Sequence, residues 1–327
     1  MPKSVDLSSA RRLLLSRDQL IAAGHSEREI RERVSGKQLV RLRRGRYVDA
    51  SEWSDLWNEG KHLLHVLALH DNAGPTRPVF WGPSAAVLHG LPLYRLAPAN
   101  VHTVIQTARH GRSRAKVVLH NVQCPGDDIV EVDGMLCTSP DRTVLDLACS
   151  TAPATGLSAA DAALRREAVS GHHHDPDSAD AWHARLAHRA GSTSVRGIRK
   201  ARDILGFADG RAQLPGESVS RLHLRTLGYR GYRLQEHVVG PIGEDYWLDF
   251  AFPRSRMFGE FDGEGKYLNE EMRQGKSLED VLLAEKHRED AVRGVTNWGF
   301  ARWGSEHVRT VDLFAQRLRA FGIHPPC

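Results

Sequence analysis

Four acidic residues and one lysine in the last third of the chain have the types and spacing that metal-assisted hydrolysis needs. Glu217 lies in the first turn of a helix opened by Pro215-Gly216. Asp249 sits in the apolar strand Tyr246-Trp247-Leu248-Asp249-Phe250-Ala251-Phe252, and Glu260 and Asp262 in the returning strand Met257-Phe258-Gly259-Glu260-Phe261-Asp262. A two-residue loop at Arg254-Ser255 would set Asp249 directly opposite Glu260. Asp262 would then fall on the same sheet face, two residues further on. Like charges directly opposite repel, and burial raises the cost. A divalent cation resolves the conflict, because converging carboxylates form the hard oxygen site that Mg2+ (or Mn2+) takes. Such a metal, held by Asp249, Glu260 and Asp262, grips a phosphodiester oxygen and lowers the pKa of a bound water. Glu217 completes the shell or orients that water. Lys266, four residues after Asp262, approaches the water or the phosphate. The same acids also read as the solvent face of an exposed hairpin, and Phe250, Phe252, Phe258 and Phe261 do not decide between the two.

A second set of residues is basic and lies near the front. Arg28, Arg31, Arg33, Lys37, Arg41, Arg43, Arg44 and Arg46 gather in one short stretch, and from Arg31 to Arg46 the only acid is Glu32. Arginines on a helix and an adjoining hairpin reach phosphates and base edges together. Taken alone, such a run also reads as the solvated face of a small helical domain.

The elements that position these residues follow from local signals. Ser16 caps a helix that Gly24 ends. Ser26 and Glu29 are spaced as a capping box, opening a helix with Ile30 and Val34 on one side and stopping at Ser35-Gly36. Gln38 to Arg43, a turn at Arg44-Gly45 and Arg46-Tyr47-Val48 read as a hairpin. Helix, turn, helix and basic hairpin outline a winged helix-turn-helix over residues 1–52. Residues 53–165 read as an α/β domain, with strands at Val79–Trp81, Val101–Ile105 and Lys116–His120. The basic stretch from Arg109 to Arg114 joins the last two of these strands. A helix starts at Ser139-Pro140-Asp141. His89 and His120 are either ligands or structural histidines. Residues 166–210 read as a helical linker whose polar stretch Gly171–Asp180, with His172-His173-His174, is a surface loop. Residues 211–327 read as an α/β sandwich with a mixed sheet. The expected class is therefore mixed α+β.

The chain has 327 residues, 41% hydrophobic and 26% charged, with 45 basic against 40 acidic residues for a net charge of +5. That is an ordinary globular mix and excludes a largely disordered chain. The four cysteines form no C-x-x-C pair, which argues against a zinc ribbon or a dithiol redox site. No apolar run reaches the roughly 20 residues that span a bilayer. No signal peptide is recognisable at the N-terminus. A cytoplasmic protein with no membrane partner is expected.

The last domain resembles the nuclease-like domains related to the very-short-patch repair endonuclease, within the PD-(D/E)XK superfamily. The stretches PGESVSRLHLRTLGY, LQEHV, YWLDFAF, FGEFDGEGKY and EKHREDAVRGVTNWGFARW carry the likeness in order, over about a hundred residues. The resemblance implies Glu217, Asp249 and Glu260-x-Asp262 as the acidic site, with Gln235 in support. It departs where the superfamily's E-x-K lysine position holds Asp262, leaving Lys266 to supply an amine from further along. The first half resembles the AbiEi-type antitoxins of bacterial type IV toxin–antitoxin systems, through LIAAGHSEREIRERVSGKQLVRLRRGRY, SAAVLHGLPLY and CTSPDRTVLDLA. That implies a DNA-binding winged helix and a domain serving regulation or neutralisation of a cognate toxin. Two functions are therefore expected to compete: a metal-dependent DNA endonuclease delivered by its winged helix, and a non-catalytic DNA-binding regulator or antitoxin.

Overall fold

The computed structural model describes residues 3–74, 77–105, 115–263 and 278–325. Two compact units divide the chain. One is built of Pro2–Ala159 with Thr193–Ala201, the other of Ala160–Ser192 with Arg202–Cys327. The architecture is mixed α+β, with several separate sheets. Among the described residues no helix is long and apolar enough to cross a membrane.

The first unit opens with helix Leu7–Leu13 and the two-residue strand Leu15–Ser16. Both escape sequence patterning, because neither is long enough to show a period. Ser16 caps helix Arg17–Ala22 reciprocally: its hydroxyl accepts from Gln19 N–H at 3.0 Å, and the Gln19 side chain accepts from Ser16 N–H at 2.7 Å. Ser26 and Glu29 form the same box on helix Glu27–Ser35. Strands Leu39–Arg43 and Arg46–Asp49 then pair antiparallel around Arg44-Gly45. Gly45 takes the left-handed φ of +68° that this turn requires. Leu20 and Ile30 from the two helices bury against Leu39 and Tyr47 of the hairpin, a small core of its own.

Beyond it lies a five-stranded sheet. Its order is Val117–His120, Val101–Val104, Val79–Phe80, Met135–Thr138, Ile129–Val132. The pairings mix parallel and antiparallel. Helix Asn58–Asp71 buries Leu63, Leu64, Val66 and Leu67. Ser139 caps helix Pro140–Ser150 with Pro140 at the first position. His89, His102 and His120 have structural partners. His89 Nε2 meets the Thr138 carbonyl at 2.7 Å. His102 Nδ1 and His120 Nε2 are 2.9 Å apart, and Trp81 stacks on His120 at 4.0 Å.

The second unit holds a four-stranded sheet in the order Arg233–Val239, Asp245–Phe252, Met257–Asp262, Gly299–Gly304. The first two pairings are antiparallel and the last is parallel. A parallel neighbour needs a long crossover, and helix Leu278–Thr296 lies within it. Phe250, Trp303 and Phe314 stack edge to face or tilted at 5.2–5.4 Å, and Trp303 donates to Ser220 Oγ of helix Pro215–Thr226 at 2.8 Å. Leu248, Ala251 and Phe258 pack with Val292 of helix Leu278–Thr296. The polar stretch 171–180 is more ordered than a loop. Val169–Ser170 pairs with His173–His174, helix Pro176–Gly191 starts within it, and His172 stacks on Trp247 at 4.5 Å.

Helix Pro215–Thr226 is fixed in this unit by a buried ion pair. Arg221 donates to Asp161 at 2.5 Å, and the two side chains are almost wholly covered. Removing one partner of such a pair strands a charge in a low-dielectric interior. Asp161→Ala is expected to lower unfolding stability by about 3–5 kcal/mol. The double variant Asp161→Ala/Arg221→Met should recover much of the loss. Urea denaturation followed by circular dichroism measures both, and equal losses in single and double variants would contradict the assignment.

Candidate nucleic-acid interface and carboxylate site

The basic residues of the front divide by exposure. Arg28, Arg31, Lys37, Arg41 and Arg44 are exposed, whereas Arg33, Arg43 and Arg46 are half-buried. Arg28 makes an exposed i,i+4 pair with Glu32 at 2.8 Å, worth little against solvent. Arg31 reaches back to the Glu27 carbonyl at 3.3 Å. The half-buried three work for the fold. Arg33 lies 3.1 Å from His25 Nε2 and 3.6 Å from Asp49, tying helix to hairpin. Arg46 pairs with Asp71 at 3.1 Å. Arg43 donates to the carbonyls of Ala115 and Lys116, each at 3.4 Å. The hairpin thus presents Arg41 and Arg44 outward from a base that Arg43 and Arg46 anchor.

The carboxylates of the second unit sit at a point where two strands part. The register between Asp245–Phe252 and Met257–Asp262 is the expected one, with Phe250 opposite Gly259, Ala251 opposite Phe258 and Phe252 opposite Met257. The turn is longer than the expected two residues: Pro253–Arg256 closes it, with Ser255 N–H donating to the Phe252 carbonyl at 3.1 Å. The ladder then stops at Phe250 and Gly259, although both strands continue. Phe261 N–H donates to Asp249 Oδ2 at 2.9 Å, so a side chain takes the place of the next strand carbonyl. Met257–Asp262 instead follows its parallel neighbour to the end, with Glu260 beside Arg302.

Past that point the expected residues have different partners. Glu260 is only 5% exposed, not the solvent face of a hairpin. It accepts from Arg288 of helix Leu278–Thr296, and its Oε2 lies 3.1 Å from Arg302, at ion-pair distance but out of line for a hydrogen bond. Asp262 adds to the negative charge around Arg302. Glu217, 2% exposed, lies near Asp249 instead. Burial pushes the Glu217 carboxyl well above its ordinary value, and the Asp249 charge pushes it further; the Gln213 N–H, at 2.9 Å, opposes both. Gln235 bridges the pair's surroundings. It accepts from Gln213 at 2.8 Å and donates to Asp249 Oδ1 at 3.4 Å. Its backbone takes a left-handed φ of +49° within the strand. Lys266 lies outside the described residues.

Among the described residues no group of three His, Cys, Asp or Glu side chains is placed to hold a metal ion. Buried Glu217 and half-buried Asp249 form a pair of acids with a charge conflict, while two arginines already neutralise Glu260. The arginines that hold Glu260 escape sequence reading. Arg302 pairs through a parallel register that local patterning cannot show, and Arg288 lies in a helix with charges on most sides. A further residue carries a readable signal. Gly216 precedes Glu217 because a side chain there would overlap the Phe261 ring. The close approach of helix to strand sets Glu217 beside Asp249.

Comparison with known proteins bears on the first half. Residues 79–207 match the AbiEi antitoxin C-terminal domain. Two uncharacterised proteins, from two strains of Mycobacterium tuberculosis, are each 33% identical to this chain over 151 residues. The aligned part is 46% of this chain and 52% of each relative, so the chain spans about half the length of the curated relatives it matches. The domain match includes helices Pro176–Gly191 and Ile198–Phe207.

The carboxylate geometry sets two expected outcomes. Gly216→Ala should cost about 1–3 kcal/mol through overpacking against Phe261, read by urea denaturation. Because the Glu217 pKa is raised, the stability its protonated form contributes is present below the ordinary value of 4.5 and is lost as pH rises through the raised value. Glu217→Gln should therefore gain stability on the native protein as pH increases from 5 toward 8. A gap between the two proteins that stays constant across that range would refute the raised Glu217 carboxyl.

Proposed function

We propose that the protein is a DNA-binding regulator of the AbiEi antitoxin type, acting in the cytoplasm with DNA and a cognate toxin protein as partners. The match of residues 79–207 to the AbiEi antitoxin C-terminal domain carries this reading. Support comes from the front of the chain. Helices Arg17–Ala22 and Glu27–Ser35, with the hairpin after them, follow the order of a winged helix-turn-helix, and the strand Leu15–Ser16 extends the hairpin into a three-stranded sheet. In this reading helix Glu27–Ser35 enters a groove with Arg28 and Arg31, and Lys37, Arg41 and Arg44 grip phosphates.

The test is binding to a duplex taken from upstream of the protein's own gene, measured by fluorescence anisotropy across a salt series. Arg41→Ala and Arg44→Ala should each weaken binding and flatten the logarithmic salt slope by about 0.9 for every phosphate no longer neutralised. Arg46→Ala should instead lower folding stability, since Arg46 pairs with Asp71. Unchanged affinity in the Arg41 and Arg44 variants would remove the hairpin from the interface.

A second reading is kept for one observation, buried Glu217 beside half-buried Asp249 where two strands part. In it the second unit is a Mg2+- or Mn2+-dependent nuclease in which Glu260, Asp262 and Lys266 also serve. Incubation with supercoiled plasmid and either metal decides. Cutting that disappears in Asp249→Ala and Glu260→Ala supports the nuclease, and cutting that persists in both assigns the activity to a contaminant.

A further inference from the structure

The second unit holds a cleft that neither reading above uses. The end of helix Ile198–Phe207, helix Pro215–Thr226 and the start of strand Arg233–Val239 enclose about 480 Å³, a volume that suits one small organic molecule. The guanidiniums of Arg211, Arg221 and Arg233 line it, with the carboxylates of Asp209 and Glu236. Phe207 and Tyr232 add two aromatic rings. Part of this lining is fixed. Arg221 is buried, and its terminal nitrogens are spent on Asp161 and on the Phe207 carbonyl. Asp161 in turn accepts from Asp209 N–H at 2.8 Å. The Phe207 ring already carries two guanidiniums, Arg221 at 4.6 Å and Arg225 at 4.7 Å. Tyr232 is braced by Phe250 and Phe252, with ring centroids 6.2 and 6.4 Å away.

The side chains nearer solvent are less committed. Arg211 donates through Nε and Nη2 to Asp209, at 3.0 and 2.7 Å, and Arg233 through Nη1 to Glu236 at 2.8 Å. The Arg233 side chain is 61% exposed, so that pair is weakly held. An arginine carries five N–H donors. Among the described residues, Nη1 of Arg211 and both Nε and Nη2 of Arg233 are left over for a ligand. A guanidinium fork of this kind matches the oxygens of a phosphate group. The two carboxylates add acceptors. Burial raises the Asp209 carboxyl, but hydrogen bonds from Arg211 and the charge of Arg221 outweigh it and hold its pKa below the ordinary value. The lining therefore asks for an anionic group, hydrogen-bond donors and a flat apolar part in one molecule.

We infer that this cleft binds a nucleoside monophosphate. Arg211 and Arg233 take the phosphate, and the ring of Tyr232 takes the base, since the Phe207 ring is already stacked upon. Asp209 and Glu236 accept from ribose hydroxyls or from an amino group of the base. A sugar phosphate would leave the tyrosine ring unused, and an aromatic acid would leave the carboxylates without a donor. The same chemistry is offered by a free mononucleotide and by the 5′-phosphorylated end of a strand. The enclosed volume favours the free molecule. This inference is independent of the DNA-binding reading, because every residue it names belongs to the second unit.

The experiment is isothermal titration calorimetry of the full chain with AMP, GMP, CMP and UMP. Adenosine, inorganic phosphate and a 5′-phosphorylated pentanucleotide are titrated beside them. At least one mononucleotide should bind with one-to-one stoichiometry, and more tightly than its nucleoside or phosphate alone. Arg233→Gln changes an exposed side chain and should melt with the parent. It should weaken the mononucleotide about tenfold, the size of one lost charge-assisted hydrogen bond. Glu236→Gln should weaken the mononucleotide while leaving inorganic phosphate unaffected. Absence of binding by all four mononucleotides overturns the inference, as does binding that Arg233→Gln leaves unchanged. Phosphate bound as tightly as the mononucleotide would reduce the cleft to an anion site and overturn it too. Tighter binding of the pentanucleotide than of any free mononucleotide would assign the cleft to strand ends, against the free ligand.

Discussion

Glu260 stands beside Arg302 in the parallel pairing of Met257–Asp262 with Gly299–Gly304, and much of the second unit is arranged around that ion pair. Arg302 also meets Glu285 and Glu289, and Arg288 meets both Glu260 and Glu285. Three carboxylates and two guanidiniums thus share one partly covered space between sheet and helix Leu278–Thr296. Burial works against the charge of Arg288, but Glu260 and Glu285 outweigh it and hold its pKa above the ordinary value. Breaking one member would strand the others, which is costly in a medium that screens poorly. The strand is therefore bound to its parallel neighbour, and its antiparallel ladder to Asp245–Phe252 ends early. Asp249 occupies the gap so made, accepting from Phe261 N–H.

The consequence is a division of acids by neighbour. Glu260 belongs to the arginines, whereas Asp249 belongs to Glu217 and the glutamines Gln213 and Gln235. A buried carboxyl, Glu217, whose ionisation the neighbouring half-buried Asp249 makes costlier is the kind of conflict found at functional sites. The same conflict can be kept neutral by a proton on Glu217. Gly216 is what makes the closeness feasible, since the Phe261 ring fills the space a side chain would take.

In the first unit, charge is sorted by a different rule. Along helix Glu27–Ser35 and the hairpin, arginines that reach an acid or a carbonyl on another element are half-buried, and the rest are left facing water. Arg33 and Arg46 hold Asp49 and Asp71, and Arg43 holds two carbonyls. Arg41 and Arg44, on the same hairpin, stay exposed. A basic run in a sequence is thus a mixture of anchors and outward-facing charges, and only the former are needed for the hairpin to stand. The modest net charge of +5 conceals this, because the acidic cluster of the second unit offsets the basic face of the first.

Local chemistry was enough to determine a good deal. The capping boxes at Ser16 and Ser26, the turn at Gly45, the Ser139-Pro140 helix start and the hairpin register as far as Phe250 and Gly259 all depend on residues within a few positions of one another, and each is present. The short helix Leu7–Leu13, the strand Leu15–Ser16 and the hairpin Ile129–Thr138 carried too little periodicity to be read. The neighbours of the charged groups were decided only in three dimensions. Arg302 lies 42 positions after Glu260, and Lys116 lies 73 after Arg43. Sequence spacing predicted the register of the hairpin from Phe252 back to Phe250, and the ladder stops before Asp249 and Glu260. It could not show that arginines of a helix and a third strand would hold Glu260, because the energy of a buried charge is set by whatever the fold packs around it.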